Sequence, residues 1–366
     1  MMDSLLLDIT IVVPTKNRPH YVKRFLQYYL DEDFIGKIII IDSSDAQIAK
    51  SIKKHIHDIG KANFQYVFSS GLPTIVIKEN LGLINTNYVS FLGDDDYIIP
   101  EGAMKSIEFL NRNPEIAACR GEAFTVTDPS ISSEFISPFP SINRLEENSS
   151  DRILKHFANY STPFFHVIRS EIFIAAYFNA PTTLEMEKGY DRLIGDELLV
   201  AGLMLSYGKF ASIEGLHLVR TNNVERVESR DSWYYDSEDL GRKMAIKDFT
   251  KKIASAVCEQ EQLSFNEAEK IVLTVQNNPI FTKKYNSDLV LKLKSFLKPL
   301  LQYLKILDYC IAIKGNILII KRKIFIRVFV PKNKRFDLKN IMHPNNFYHK
   351  EFMPVYNSLT EYDLKK

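Results

Sequence analysis

A chain of 366 residues with 45% apolar and 25% charged residues can bury the core of one large domain and a smaller appendage, which excludes bulk disorder. The net charge of +2 hides an asymmetry, because residues 281–340 carry 15 Lys/Arg against 3 Asp/Glu over an otherwise acidic body. Such a segment expects a polyanionic partner. Cys119, Cys258 and Cys310 are odd in number and form no C-x-x-C, which excludes a disulfide framework or a cysteine zinc site and fits a reducing cytosol.

The N-terminus lacks the basic region of a signal peptide. Asp8–Val13 is a β-branched run ending at Pro14 and reads as a buried strand. Pro19 opens a helix with Val22, Phe25, Leu26 and Tyr29 on one face. Lys37–Ile41 and Phe64–Phe68 read as strands around a helix over Ala46–Ile59. Leu72–Ile84 is expected to be helical, Tyr88–Leu92 a fourth strand, Pro100–Asn113 a helix and Ile116–Cys119 another strand. This alternation predicts an α/β fold with a doubly wound sheet, whose ligands sit beyond the carboxyl ends of the strands.

Thr127–Ser150 is rich in Ser, Pro and Asn and reads as loop. Phe164–Ile168 is a short strand, and Glu171–Tyr177 and Asp191–Tyr207 are helices. Phe210–Ile213 and Leu216–Val219 look like two strands, and Thr221–Trp233, with Arg226 and Arg230 after Arg220, is either a lid or a charged loop. Leu240–Val275 is helical, and no internal repeat is apparent. In the basic segment, Lys292, Lys294, Lys298 and Lys305 interleave with leucines as an amphipathic helix broken at Pro299, and Ile317–Val330 reads as β. The longest apolar stretch, Leu300–Ile320, is broken by Lys305, Asp308, Lys314 and Asn316, so no span of membrane length is expected.

Four places carry candidate chemistry. Asp94-Asp95-Asp96 follows the apolar strand Tyr88–Leu92 and precedes Pro100. Three adjacent carboxylates repel one another, and a cation such as Mg²⁺ or Mn²⁺ relieves this; a solvated turn capping the next helix is the plainer alternative. Pro14-Thr15-Lys16-Asn17-Arg18-Pro19 is a polar turn into a helix N-terminus, suited to a nucleotide or simply a connection. Asp42 ends the second strand, where a carboxylate can accept from a base N–H, while Asp45 reads equally as a helix N-cap. Asp196-Glu197 after Gly195 could supply a general base, or merely complement a helix dipole.

In order and spacing these four places resemble the inverting GT-A glycosyltransferases of family 2, over roughly Asp8–Val219, and within them a bacterial glycan-biosynthesis subgroup. The family's Val-Pro-Thr-x-Asn-Arg stands at Val13–Arg18, and its acidic motif corresponds to Leu92-Gly93-Asp94-Asp95-Asp96, with Gly93 replacing the first acid. The resemblance implies a mixed GT-A sheet with helices on both faces. It implies a catalytic domain over residues 1–235, with a nucleotide-binding half to about 120 and an acceptor half beyond, and a mostly helical, partly β, basic extension over 236–366. It implies nucleotide contacts from Pro14, Thr15, Asn17, Arg18, Asp42 and Asp94. A Mn²⁺ or Mg²⁺ ion would sit at Asp95 and Asp96, with His217 approaching it. By position Glu197 would be the base, with Asp196 second, since the usual Glu-Asp order is inverted. His166 either lines the acceptor site or belongs to the core. The implied donor is a nucleoside-diphosphate sugar, UDP first, and the acceptor a glycan or lipid-linked hydroxyl. The expected location is cytoplasmic, and residues 281–340 either meet an anionic inner membrane face or pack on the catalytic domain with a solvated basic face. Other readings are a nucleotide-sugar-binding protein without transferase activity and a sugar nucleotidyltransferase. The second is weakened by the absence of glycine from Val13–Pro19. No nucleic acid is expected, since no aromatic reading motif accompanies the basic residues.

Overall fold

A computed structural model of the chain describes residues 3–69, 71–127, 136–182, 185, 190–222, 240–282 and 338–364. The expected amphipathic helix, the β segment Ile317–Val330, Arg226, Arg230 and most of the lid candidate lie outside the described residues.

After the short helix α1 (Asp3–Leu6) come β1 (Ile9–Thr15), α2 (Pro19–Asp31), β2 (Lys37–Asp42), α3 (Ala46–Ile59) and β3 (Phe64–Phe68). Then follow α4 (Pro73–Glu79), β4 (Tyr88–Phe91), the two-residue β5 (Tyr97–Ile98), α5 (Pro100–Arg112) and β6 (Ile116–Thr127). The second part holds β7 (Ile136–Pro138), α6 (Ser149–Ala158), β8 (Val167–Arg169), α7 (Ser170–Phe178), a π-helical turn (Leu193–Leu199), α8 (Val200–Tyr207) and β9 (Lys209–Asn222). Beyond it lie α9 (Leu240–Glu261), α10 (Phe265–Val275), α11 (Pro279–Thr282), α12 (Leu338–Ile341) and α13 (His349–Leu364). Pro19, Pro73 and Pro100 each occupy the first turn of their helix, where a missing N–H costs nothing.

The described strands form one mixed sheet, ordered β3-β2-β1-β4-β8-β6-β9-β5, with β7 beside β6. β1 to β4 are parallel and alternate with helices, as expected. β8 runs antiparallel to both β4 and β6, so the sheet is mixed rather than uniformly parallel. Two of the expected strands are one: β9 runs unbroken through Gly215, whose φ of 100° suits glycine, and its register against β6 shifts nearby. β6 is correspondingly longer than expected. The expected loop Thr127–Ser150 contains β7 and the start of α6.

Apolar clusters cover both faces of the sheet. One joins β1, α2, α5 and β9 to Ile341, Phe352, Val355 and Leu359 of the C-terminal helices. The other joins the opposite strand face to α6, α7, α8, α9 and α10. Residues beyond 236 therefore contribute to both cores. Among the described residues no helix is long and apolar enough to cross a membrane.

One buried ion pair fixes the π turn. Asp191 caps it by accepting from the Ile194 N–H at 3.0 Å, and its other oxygen accepts from Arg242 Nη1 of α9 at 2.6 Å. Arg242→Met should cost about 3–5 kcal/mol, because it leaves Asp191 charged and unpaired. A wild-type denaturation midpoint for this variant would refute that role.

Candidate active site

The polar groups converge at the carboxyl ends of β1, β2 and β4, where ligands bind in open α/β sheets. Asn17 adopts φ 56°, and its N–H donates to Ser44 Oγ at 2.7 Å. Its amide donates to Asp45 and accepts from the Asp45 N–H at 2.8 Å, so it ties the turn after β1 to the turn after β2. Pro14 lies beside it at the end of β1. Asn17 thus shapes the loop after β1. Asp42 is fully buried, and its oxygens accept from the Ser44 N–H at 2.8 Å and the Tyr66 hydroxyl at 2.9 Å. The expected base-reading carboxylate is thus turned inward and anchors the loop.

The triplet follows β4. Thr15 Oγ1 donates to Asp94 Oδ2 at 2.7 Å. Arg18 spans two acids, donating to Asp94 Oδ1 at 2.5 Å and Asp95 Oδ2 at 2.7 Å, with its guanidinium 3.9 Å from the Tyr21 ring centroid. Burial opposes the charge of Arg18, but Asp94 and Asp95 more than offset it and hold its pKa above the ordinary value. Asp96 accepts from the Thr221 N–H at 3.1 Å and from Arg220 Nε at 3.4 Å. Thr221 Oγ1 also donates to the Asp95 carbonyl at 2.7 Å. Two arginines from distant segments therefore offset part of the charge of the three carboxylates.

Burial raises the Asp94 pKa to about 7, with Arg18 opposing and Asp95 adding. Burial likewise raises Asp96 to about 6, with Arg220 opposing and Asp95 adding. Both folded values exceed the ordinary 3.8, so the native state holds protons that the unfolded chain has released. The stability from this source is complete below about pH 4 and is lost as pH rises through 6 to 7. Melting of the ligand-free protein should therefore show this pair favouring pH 5.5 over pH 8, with Asp94→Asn and Asp96→Asn flattening the difference. An unchanged difference in the double variant would contradict the assignment.

Gly93 bears on a cation. A Cβ there would lie 2.9 Å from Asp95 Oδ1 and 3.3 Å from Asp96 Oδ2. Both carboxylates therefore lie against the Gly93 backbone, a closeness that a side chain at this position would not allow. Two hard oxygens suit Mg²⁺ or Mn²⁺, whose remaining ligands would be substrate phosphates and water. Among the described residues no group of three or more His, Cys, Asp or Glu is arranged to hold a metal. Asp95 and Asp96 alone would leave most of an ion's coordination to other ligands.

His217 does not join this cluster. It is fully buried, and its Nδ1 meets Ser106 Oγ of α5 at 3.2 Å. Burial lowers its pKa to about 4, so a neutral ring packs on α5. His166 is also in the core, with Nδ1 2.8 Å from the Pro163 carbonyl.

Asp196 and Glu197 lie on the π turn, a geometry frequent at functional sites. Asp196 pairs with Arg192 on the same turn at 3.3 Å. Glu197 Oε1 accepts from the Tyr160 hydroxyl at 2.7 Å. Burial raises the Glu197 pKa, while Tyr160 and then Arg220 oppose the rise. Arg220 thus acts electrostatically on Glu197 while bonding Asp96, linking the base candidate to the acid triplet. Its guanidinium also lies over the rings of Phe139 and Phe165, at 4.7 and 4.6 Å. The sequence reading placed Arg220 only in a lid and did not find Tyr160, because both contacts arise from tertiary packing.

The chain has a mixed α/β fold with helices on both faces of the sheet. It is shared with the crystal structure of S. aureus TarS, at TM-score 0.52 and 15% identity, over 80% of this chain and 47% of that one. The chain thus spans about half the length of that protein. A crystal structure of S. aureus TarS 1-349 matches over 98% of this chain and 92% of that one, at TM-score 0.49 and 14% identity. No family model and no curated protein matches the chain.

Proposed function

We propose that the chain is a glycosyltransferase that moves a sugar from a nucleoside-diphosphate donor, UDP-linked first, to a hydroxyl of a glycan or lipid-linked acceptor, with inversion. One observation carries this reading. The turn after β1, the acid triplet after β4 and the π turn with Glu197 are joined into one polar site by Arg18 and Arg220. Structural likeness to TarS, a glycosyltransferase, supports the class.

In the reaction Glu197 takes the acceptor proton as the hydroxyl attacks the anomeric carbon, and the diphosphate leaves from the opposite face. A buried carboxylate with a raised pKa is a better proton acceptor than a solvated one. Arg18, beside the triplet, and Arg220, between triplet and base, are placed to offset charge developing on the leaving group. A divalent cation held by Asp95 and Asp96 would add Lewis-acid stabilisation of that charge. Thr15 and Asp94 are held together at the nucleotide side.

A thermal-shift panel of nucleotide sugars, with and without Mn²⁺, tests the donor class. The reading expects a UDP-sugar to raise the melting temperature, and more so with Mn²⁺. Equal, metal-independent inertness across UDP-, GDP-, CDP- and dTDP-sugars would sink it.

A further inference from the structure

We propose that Tyr160 is a positioning residue for Glu197, fixing its carboxylate and favouring its ionised form; this rests on reading Glu197 as the base. Tyr160 follows α6, 37 residues from Glu197, and donates to Glu197 Oε1 at 2.7 Å. Its ring is fixed independently of that bond, stacking on Phe157 at 5.9 Å and 16° and meeting His156 at 5.1 Å. The hydroxyl therefore arrives from a packed ring, and it leaves Oε2 for an acceptor proton. A π turn alone would leave the carboxylate free to rotate away; the phenol selects one orientation.

The other groups acting on Glu197 are few. Arg220 favours its charge and Asp196 disfavours it. Tyr177 also lies within electrostatic reach of Asp196 and Glu197. The Tyr160 hydroxyl donates to the Glu197 carboxylate, whereas Arg220 donates to Asp96 and Asp196 accepts from Arg192. Removing that hydroxyl should raise the proton affinity of Glu197, since a donor to the charged form has been lost.

Tyr160→Phe keeps the stacked ring and removes only the donor. The Glu197 carboxyl carbon, assigned by ¹³C NMR through its loss in Glu197→Gln, should titrate at higher pH in Tyr160→Phe than in wild type. An unchanged titration would overturn the proposal. In a UDP-release assay with Mn²⁺ and the UDP-sugar that most stabilises the fold, the acidic limb of the kcat profile should move to higher pH. At neutral pH kcat should fall about tenfold. A uniform loss with an unmoved limb would also overturn it, since purely structural damage produces that pattern. If Glu197→Gln keeps wild-type turnover, the base reading fails. If it is inactive while Tyr160→Phe behaves as wild type, only the role of Tyr160 fails.

Discussion

Replacing Glu197 by Gln should lower kcat by about 10²–10⁴-fold while leaving donor affinity nearly intact. The reason is geometric. Glu197 is held at 2.7 Å by Tyr160, and Arg220 bonds Asp96 while acting electrostatically on Glu197, so Glu197 sits beside the triplet rather than in it. A proton acceptor matters in the transition state and little in the ground state, so KM should change far less than kcat. Asp196→Asn is the control. Asp196 is paired with Arg192 along its own turn, and its replacement should cost much less. If instead Asp196→Asn abolishes turnover and Glu197→Gln does not, the base is Asp196. Steady-state kinetics of the two variants decides between them.

Asp95→Asn should have the second largest effect, acting on binding. Asp95 is the most exposed of the three acids, with 18% of its side chain accessible, and its carboxylate, like that of Asp96, lies against Gly93. Losing one of two protein oxygens should weaken Mn²⁺-dependent donor binding by about 10²-fold or more. A second consequence follows from charge. Asp95 raises the pKa of both Asp94 and Asp96, so its neutralisation should lower both. The fall in ligand-free stability through pH 6 to 7 should then shrink, while cation affinity drops. Calorimetric titration of Mn²⁺ with UDP, together with melting curves across pH, checks both parts. Wild-type Mn²⁺ affinity in Asp95→Asn would place the cation elsewhere.

The first half of the sheet was legible from the residues alone because its signals are local. Ala46–Ile59 and Phe64–Phe68 form the expected elements with the expected bounds, and prolines mark three helix starts. The triplet stands out because three adjacent acids after an apolar strand need compensation. What compensates them did not stand out. Arg220 reaches Asp96 across 124 positions, and Tyr160 reaches Glu197 across 37. Such pairs leave no periodic trace.

Helix α6 was hidden for a related reason. Its N-terminus, Ser149-Ser150, lies in a Ser- and Asn-rich stretch and is capped from outside by Glu261 of α9. That carboxylate accepts from Ser149 Oγ at 2.6 Å and from the Ser150 N–H at 2.5 Å. Asp42 and His217 are a different case. Their residue types suggested ligand contacts, but both side chains are fully buried and bonded within the fold. β5 has only two residues, too short for any alternation to show, yet it pairs with β9 just after the triplet.

The central claim is a nucleotide-sugar transferase built on the acid triplet and Glu197. Its most direct test is nucleoside-diphosphate release from a panel of UDP-sugars by the wild-type protein with Mn²⁺, alongside Glu197→Gln. The account predicts release by the wild type, dependent on the cation, and near-complete loss in the variant with donor binding retained. Binding of a UDP-sugar by the wild type without any release, with or without a glycan acceptor, would contradict it and leave a binding protein in its place.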